Sequence, residues 1–356
     1  MAINLCVLFG GVSPEYEVSL RSAESILNHL NHNTYNIYPV GITKQGKWIY
    51  YAGTDWSRLP ANTWEEYPEN CPAAISPSRG QGLLLWREAG VETVTLDCVF
   101  PVLHGENGED GSIQGLMQVA GIPCVGSGVE ASASSMDKTV TKLLVGETGI
   151  RQANWYLARR ESIEHNLEKL ILDIESGGDY PLFVKPSGTG SSVGVSKVRC
   201  TEELKDALRL AAKYDSKVLV EEFIAGHEVE VAVLGNREPV ASVVGEIMAG
   251  AEFYDYEAKY LSQQSRTVIP AEIPKRSAEK IRQSAVEVYK VMGCSGLSRV
   301  DFFVTYDGEE VVFNEINTLP GFTSISMYPK LFEASGLPYE KLLDELIRLA
   351  MEELHG

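Results

Sequence analysis

The chain has 356 residues, 44% of them apolar, and a formal net charge of −18. This length is enough to bury a large core and predicts two or three domains in a globular protein. The acidic balance argues against a nucleic-acid partner and against an anionic membrane surface, and no run approaches the ~20 apolar residues of a membrane span. Small-molecule substrates are not excluded, because their sites are local.

The first residues and the cysteines both indicate a cytoplasmic protein. MAINLCVLFGG is apolar, but no cationic segment precedes it and acids follow at once, so it predicts a buried first strand and not a signal peptide. The six cysteines are scattered, without CxxC pairs or the histidine spacing of zinc sites. Buried, reduced thiols are the simplest interpretation.

Two strand-loop-helix units predict a parallel α/β domain over residues 1–128. The first strand breaks at two glycines into a helix, for which Ser13 is the predicted cap, Pro14 the first position and Glu15 part of the first turn. The strand LDCVFPVLHG runs into a glycine-rich loop, His104 to Gly111, before a second helix. Parallel strands place both loops at one carboxyl edge, where such sheets bind ligands. A dinucleotide fold is the weaker alternative, because GxGxxG is missing.

The stretch from Pro60 to Gly82 has four prolines and predicts an elaborated surface loop. A helical pattern follows Gly128 and opens a second, α+β domain over residues 129–222, with strand PLFVKPS, loop GTGSSVG, helix TEELKDALRLAAKY and strand KVLVEEF. Residues 223–356 form the third predicted domain. It contains two further strands, a helix from Ser277 to Met292, a hairpin and a closing helix from Glu340 to Leu354.

The hairpin of the third domain carries polar groups where apolar ones are expected, namely Arg299, Asp301, Glu315 and Asn317. A two-residue loop would pair position 301 with 314 and separate the acids, whereas a three-residue loop ending at a left-handed Gly308 would pair 301 with 313 and 299 with 315. We predict the three-residue loop, which gathers all four groups on one face. Such a face suits a hard cation that holds phosphate oxygens. A solvated strand face is the alternative, but apolar residues continue both faces of this hairpin.

Upstream cations and acids are candidates for nucleotide binding. Lys185 ends an apolar strand before GTGSSVG, whose backbone N–H groups suit phosphates, although no GK[ST] makes it a P-loop. Plain turn chemistry is the alternative, and the downstream acid cluster favours the nucleotide. Lys138 is a second candidate cation, against the alternative of a solvated helix lysine. Glu221, Glu222 and Glu228 flank a hinge where main chain and a carboxylate could hold adenine and ribose; a solvated strand end is an equal alternative.

Seven segments in this order and spacing resemble the D-alanine:D-alanine ligases, an ATP-grasp family of peptidoglycan precursor synthesis: SPEYEVSL, HGENGEDG, SSMDK, VKPSGTGSSVGVSK, FYDYEAKYLS, SRVDFF and NEINTLPGFTS. The resemblance covers nearly the whole chain, and its least diagnostic part is the proline-rich insertion. It implies an ATP-grasp fold behind an N-terminal parallel α/β (preATP-grasp) domain. It also implies ADP-forming ligation of two D-alanines through a D-alanyl phosphate, with ATP, two Mg²⁺ ions that Mn²⁺ can replace, and a homodimer.

The resemblance assigns roles to particular residues of this chain. The implied metal ligands are Asp301, Glu315 and Asn317. The implied ATP-binding residues are Lys138, Lys185, Ser191, Glu221, Glu222, Glu228 and Lys259. Arg299 and the backbone N–H of Gly321 would stabilise the tetrahedral centre. Glu15 would bind the ammonium of the first substrate with His104 nearby, and Ser326 would bind the carboxylate of the second.

Tyr260 and Met327 bear on which acceptor is used. In relatives that make the dipeptide, a tyrosine at the position of Tyr260 bonds to the serine matching Ser191 and through it to the acid matching Glu15, closing a lid that excludes water. Lactate-accepting relatives usually lack this tyrosine, and several resistance-type relatives have arginine in place of Met327. Ile325 departs from the family pattern and leaves the edge of the second pocket open. A D-alanine:D-serine or D-lactate ligase is therefore one alternative, and a non-catalytic ATP-binding module is another.

Overall fold

A computed structural model describes residues 2–248 and 266–353. Within them, three β-sheets follow one another along the sequence. Each sheet packs against helices, so the predicted mixture of α/β and α+β architecture is present. No described helix combines the length and apolar character needed to cross a bilayer. No disulfide joins the six cysteines, all of which lie within the described residues.

The first sheet includes a strand, second from one edge, that is buried along most of its length, because LCVLF is a continuous apolar run. Its strands are β1 (Ile3–Gly10), β2 (Tyr35–Ile42), β3 (Trp48–Tyr50), β4 (Cys71–Ile75), β5 (Leu83–Arg87), β6 (Gly90–Val94) and β7 (Cys98–Leu103). They lie in the order β6-β5-β4-β3-β2-β1-β7, and the pairs β1–β2 and β1–β7 are parallel. The helices are α1 (Tyr16–His29) and α2 (Ser112–Ala120).

Helix α1 starts later than predicted. Its cap is Glu15 and its first residue is Tyr16, so the prediction of Pro14 at the first position is wrong. Residues 13–15 instead form a turn, in which the Ser13 hydroxyl accepts the Glu15 N–H at 3.1 Å and the Tyr16 N–H reaches the Ser13 carbonyl at 3.2 Å. This turn lies at the carboxyl edge of the sheet beside the loop that follows β7.

The predicted surface loop from Pro60 to Gly82 is only partly correct, because most of the segment is exposed but Trp64 and alternate residues of a strand are buried. It contains a 3-10 turn (Trp64–Glu66) and strand β4. Trp64 is fully buried, its ring lies 5.1 Å from that of Phe9, and its Nε1–H donates to Tyr16 Oη at 3.2 Å. One large aromatic side chain therefore docks this proline-rich segment onto the sheet, a long-range contact that local turn residues do not reveal.

The second sheet is antiparallel and smaller. Its strands are β8 (Trp155–Arg159), β9 (Leu182–Pro186), β10 (Ser196–Val198) and β11 (Lys217–Glu222), in the order β10-β9-β11-β8. The helices of this region are α3 (Val129–Met136), α4 (Lys138–Gly146), α5 (Arg160–His165), α6 (Leu167–Gly177) and α7 (Thr201–Tyr214). Helix α7 has the predicted bounds. Asp137 separates α3 from α4 and caps α4 by accepting the Thr139 N–H at 3.0 Å.

The third sheet is antiparallel and covered on one face by a long helix. Its strands are β12 (Gly226–Leu234), β13 (Val240–Met248), β14 (Arg266–Val268), β15 (Leu297–Thr305) and β16 (Val311–Asn317), in the order β14-β13-β12-β15-β16. The helices are α8 (Lys275–Val291), α9 (Met327–Ala334) and α10 (Tyr339–Glu353). Valines and phenylalanines of β12, β15 and β16 pack with α8 in one buried cluster. The opposite face is covered by α9 over part of β12 and β13, and it carries the polar residues of β15 and β16.

The last helices pack against the first sheet. The Phe100 and Phe322 rings meet edge to face at 5.9 Å, and Tyr35 Oη donates to Asp344 at 2.9 Å. One apolar cluster thus joins the beginning and the end of the chain. The domain boundaries after residues 128 and 222 stay predictions. This packing places the loop between β16 and α9 between the first and third sheets.

Candidate active site

The hairpin of β15 and β16 holds its four polar side chains on one face, but by a different register from the one predicted. Asp301 pairs with Glu315, and Arg299 pairs with Asn317. The turn spans residues 306–309 and is closed by the Thr305 N–H on the Glu310 carbonyl at 3.1 Å, so the predicted three-residue loop is wrong, although Gly308 is left-handed as expected. This turn alone would place Asp301 opposite position 314. A bulge between Asp301 and Phe302 adds one residue to β16 and brings Glu315 opposite Asp301.

A third acid lies beside this pair. Glu230 of β12 is directly opposite Asp301 on the other side, so three acids follow one row across the sheet. Arg299 donates to both oxygens of Asp301 at 2.8 and 2.7 Å and lies 3.2 Å from Glu230. Burial alone would lower the pKa of Arg299, but the charges of Asp301 and Glu230 raise it well above its usual value. The guanidinium is therefore a cation held beside this row of acids by Asp301 and Glu230.

Glu230 is a site residue that the sequence analysis missed. The signal was present in EVEVAVL, where acids alternate with valines along a strand. The valines Val229 and Val231 pack with α8, so Glu228 and Glu230 point to the opposite face, which is that of Arg299. The same alternation places Glu228 on the predicted site face.

The glycine-serine loop between β9 and β10 connects two parts of the site. Ser191 and Ser192 adopt left-handed conformations, with φ of 52° and 58°, which is uncommon outside glycine and marks a constrained loop. The Ser191 hydroxyl donates to the Glu15 carboxylate. Lys138 Nζ donates to the Thr189 carbonyl at 2.8 Å and lies 3.8 Å from Glu315 Oε2. The loop thus lies beside both the first-sheet acid and the hairpin acids.

Glu221 lies between two lysines. Its carboxylate is 2.5 Å from Lys142 Nζ and also pairs with Lys185, and only 4% of Glu221 is exposed. Burial alone would raise the pKa of Glu221, but the two lysine charges lower it. Burial likewise would lower the pKa of Lys185, which Glu221 and Glu315 raise instead. Lys142, at the core-facing side of α4, was not among the predicted site residues.

Glu222 does not contact the ion-paired group of Glu221, Lys142 and Lys185. Its carboxylate pairs with Arg151 and accepts from Asn154 Nδ2 at 2.7 Å. Burial would raise the pKa of Glu222, and the Arg151 contact lowers it. The predicted ATP-binding role of Glu222 stays a prediction.

His104 and its neighbours form the first-sheet side of the site. His104 is 4% exposed, with Nε2 at 3.3 Å from Ser22 Oγ and Nδ1 at 3.4 Å from Glu109 Oε1. Burial would lower the pKa of His104, but Glu109 and the charge of Glu15 raise it. A Cβ on Gly105 would lie 2.8 Å from Glu15 Oε2. The two glycine-rich loops therefore meet at one edge, as the parallel strands predicted.

The loop before α9 contributes the remaining predicted residues. A Cβ on Gly321 would lie 2.9 Å from Ser326 Oγ, and that oxygen accepts the Thr323 N–H at 3.0 Å. Met327 is 6% exposed, and its Cε would lie 2.5 Å from a Cβ on Gly245, so it packs closely on β13. Ile325 is 57% exposed. Gly321 and Ser326 thus adjoin, while Met327 belongs to the core beneath them.

Two predicted residues, Tyr260 and Lys259, lie outside the described residues. Their roles stay predictions.

The donor chemistry of the hairpin fits a magnesium ion. Asp301 and Glu315 are cross-strand neighbours, and Asn317 lies on the same face, so all three offer hard oxygen ligands. Among the described residues, no group of three histidine, cysteine, aspartate or glutamate side chains is arranged to hold a metal by itself. The side chain of Asn317 offers an amide oxygen as a third donor. The cations Lys138 and Lys185, next to a glycine-serine loop, fit the phosphates of a nucleotide.

Comparison with known protein families finds two family models that together match most of the chain. The family model "D-ala D-ala ligase N-terminus" matches residues 4–127, and "D-ala D-ala ligase C-terminus" matches residues 144–348. The chain belongs to the D-alanine–D-alanine ligase family. The resemblance inferred from seven sequence segments is thereby confirmed, together with the expectation that the chain is a ligase.

Individual relatives of the family match along the whole chain. The D-alanine–D-alanine ligase of Acetivibrio thermocellus is 50% identical over 361 residues, covering 98% of this chain and 96% of the relative. That of Caldicellulosiruptor bescii is 46% identical, covering 99% and 96%. Among solved structures, the VanG D-Ala:D-Ser ligase from Enterococcus faecalis has a TM-score of 0.89 at 42% identity, covering 98% of this chain and all of that one. The D-alanine–D-alanine ligase from Coxiella burnetii has a TM-score of 0.86 at 35% identity, covering 99% and 95%. The expected ATP-grasp architecture of this family is confirmed.

Proposed function

We propose that this protein joins two D-alanines with the cleavage of ATP to ADP and phosphate, for peptidoglycan synthesis in the cytoplasm. The observation that carries the proposal is the hydrogen bond from Ser191 to Glu15. It links a loop suited to nucleotide phosphates with an acid suited to an amino-acid ammonium. A ligase of this kind needs both substrates side by side, because the carboxylate of one must reach the γ-phosphorus of the other.

The proposed reaction has two steps. The carboxylate of the first D-alanine attacks the γ-phosphorus, which gives D-alanyl phosphate and ADP. The amine of the second D-alanine then attacks the carbonyl carbon, and phosphate leaves. Glu15 binds the first ammonium near His104, and Ser326 binds the second carboxylate. Arg299 and the Gly321 N–H stabilise the oxyanion of the tetrahedral centre, because a fixed guanidinium and a preorganised N–H favour developing negative charge.

The remaining predicted residues serve the nucleotide. In this proposal Lys138, Lys185 and Lys259 neutralise phosphate charge, and Glu221, Glu222 and Glu228 bind adenine and ribose. Asp301, Glu315 and Asn317 would hold magnesium, which would neutralise charge on the triphosphate and on the transferring phosphoryl group. Two ions, with Mn²⁺ as an accepted substitute, belong to the proposal. So do a homodimer and a lid in which Tyr260 joins Ser191.

D-serine is a second candidate acceptor. It is favoured by the likeness to the VanG D-Ala:D-Ser ligase, with a TM-score of 0.89. Met327 packs in the core beneath Ser326, and one buried methionine does not distinguish a methyl from a hydroxymethyl side chain on the acceptor.

A product assay tests both candidates. Purified protein is incubated with ATP, Mg²⁺ and D-alanine, alone or with equimolar D-serine or D-lactate, and the products are identified by mass spectrometry. D-alanyl-D-alanine as the main product in mixtures supports the first proposal. A mixed dipeptide or depsipeptide as the main product replaces it with a ligase of the second kind. ATP binding without D-alanine-dependent phosphate release refutes both.

A further inference from the structure

Lys142 is a buried cation for which the proposed mechanism has no role. It lies on α4 and is 2% exposed, and its Nζ is 2.5 Å from Glu221 on β11. The other side of the Glu221 carboxylate pairs with Lys185 on β9. Burying a lysine this deeply is unfavourable unless a nearby acid pairs with it. Three elements of the second region therefore converge on one carboxylate.

The charges of Lys142, Lys185 and Glu221 together set how much positive charge Lys185 can offer to a phosphate. Within this trio, two lysines and one glutamate sum to one positive charge, and Lys185 is also close enough to Glu315 of the hairpin to be affected by its charge. Without Lys142, the carboxylate of Glu221 would be balanced by Lys185 alone, and the group would be neutral. Coulomb interactions between buried charges are only weakly screened, so this difference would reach a bound phosphate.

The surroundings of the two lysines shift their pKa values in opposite directions. Burial lowers the pKa of Lys142, and the neighbouring charge of Lys185 lowers it further, while Glu221 opposes both. The pKa of Lys185 moves in the opposite direction and is raised. The carboxylate of Glu221 is thus shared by Lys142, whose pKa is lowered, and Lys185, whose pKa is raised.

We propose that Lys142 is a positioning residue for ATP, which engages Glu221 so that Lys185 keeps a net positive charge toward the nucleotide phosphates. This inference rests on the proposed function, because it uses the phosphate role of Lys185. Lys142 itself touches Glu221 and not the phosphates. Its effect is therefore on nucleotide affinity and not on the chemistry of the amino acids.

Binding of ADP by titration calorimetry measures this effect directly. Lys142→Met is expected to raise the Kd for ADP about tenfold, the size of one charge-assisted contact. The KM for ATP rises in parallel, while kcat at saturating ATP and the KM for D-alanine change little. Lys142→Arg keeps the charge and is expected to restore most of the affinity. Lys213→Met removes an exposed lysine of α7 and serves as the matched control for overall charge.

A double variant keeps the test valid if Lys142→Met folds poorly. Lys142→Met with Glu221→Gln removes the buried ion pair as a unit, which proteins tolerate better than removal of one partner. The double variant is compared with Glu221→Gln, because both lack any contact of the Glu221 carboxylate with the nucleotide. Since Lys142 is proposed to act through Glu221, adding Lys142→Met to Glu221→Gln is expected to change the Kd for ADP much less than it does in the wild-type protein, and an equal loss in both backgrounds would overturn the inference.

The outcomes separate this inference from the proposed function. If the wild-type protein binds ADP but releases no phosphate with D-alanine, the proposed function fails. If the wild-type protein is active and Lys142→Met only lowers the melting temperature with an unchanged Kd for ADP, Lys142 is structural and the inference fails. A lower kcat with an unchanged KM for ATP would also overturn it.

Discussion

At the scale of single residues, Arg299 is the side chain on which the proposed chemistry most depends. Its two bonds to Asp301 and its contact with Glu230 hold the guanidinium fork in one orientation. We expect Arg299→Ala to lower kcat about 10²–10³-fold, the cost of removing one transition-state donor, and to leave the Kd for ADP nearly unchanged. Steady-state kinetics of phosphate release and calorimetry measure the two quantities.

The control for this prediction is Arg299→Lys. Lysine keeps the charge next to Asp301 and loses the planar fork, so its activity should fall between those of the wild type and Arg299→Ala. If Arg299→Ala turned over ATP with D-alanine at the wild-type rate, Arg299 would have no part in the transition state.

His104 provides a prediction about pH. Glu109 and Glu15 raise its pKa above 6.5 against the opposing effect of burial. A raised pKa in the folded state stabilises the protein fully below the pKa of an unfolded histidine, and this contribution is lost as the pH rises through the folded-state value. Glu109→Gln removes a charge that raises the pKa of His104, while burial still lowers it, so the pKa of His104 should fall. The ring C–H shifts of His104, followed by NMR, give the pKa in both proteins.

Glu106→Gln is the control for this titration. Glu106 is an exposed acid of the same loop, so the variant has the same change in net charge without touching the histidine. An unchanged titration of His104 in Glu109→Gln would mean that the 3.4 Å contact does not set its protonation.

At the scale of elements, the turn of the site hairpin depends on Gly308. Its φ is +71°, and a Cβ there would lie 2.6 Å from Pro274 Cγ. We expect Gly308→Ala to lose about 1–2 kcal/mol of stability from the left-handed backbone, and a further amount from the contact with Pro274. Gly293→Ala is the matched control, because Gly293 has φ of +67° and open space around its Cα. Equal melting temperatures of the two variants would show that Pro274 moves aside without loss of stability.

The same hairpin shows how far a sequence predicts a site. Alternation along each strand gave the face of Arg299 with Asp301 and of Glu315 with Asn317. The register did not follow, because the turn is one residue longer than predicted and a bulge compensates for it. A bulge depends on packing on both faces of a sheet, which turn residues alone do not reveal. The sequence thus predicted which face of the sheet carries the four polar side chains, but not which residues of the two strands lie opposite each other.

At the scale of the whole molecule, the residues that sequence analysis missed share one property. Trp64, Lys142 and Glu230 each meet partners on other elements, such as Tyr16, Glu221 and Arg299. Nothing in their local sequence names those partners. The predicted order of strands and helices was mostly correct, because apolar periodicity and glycine punctuation are local signals. The proline-rich segment was predicted as a loop from its turn-forming residues. The contact of Trp64 with distant aromatic residues, which buries part of the segment, was not predicted because it is not a local signal.

The packing of the chain's end on its beginning yields the last prediction. Tyr339 Oη lies 3.1 Å from Ser25 Oγ and donates to the Phe322 carbonyl at 3.1 Å, next to Gly321. Tyr339→Phe leaves that buried carbonyl without its donor, which costs about 1–3 kcal/mol of stability, and loosens the loop that carries the proposed oxyanion N–H. We therefore expect a lower kcat as well as a lower melting temperature.

Tyr289→Phe distinguishes a local effect on this loop from general destabilisation. Tyr289 is also buried, and its hydroxyl donates to the Gly235 carbonyl at 2.7 Å from α8, on the far face of the third sheet. Its loss should lower the melting temperature by a similar amount and leave kcat unchanged at a temperature where both variants are folded. If the two variants lost activity in the same proportion, the contact between the last helix and the Phe322 carbonyl would stabilise the fold without positioning Gly321.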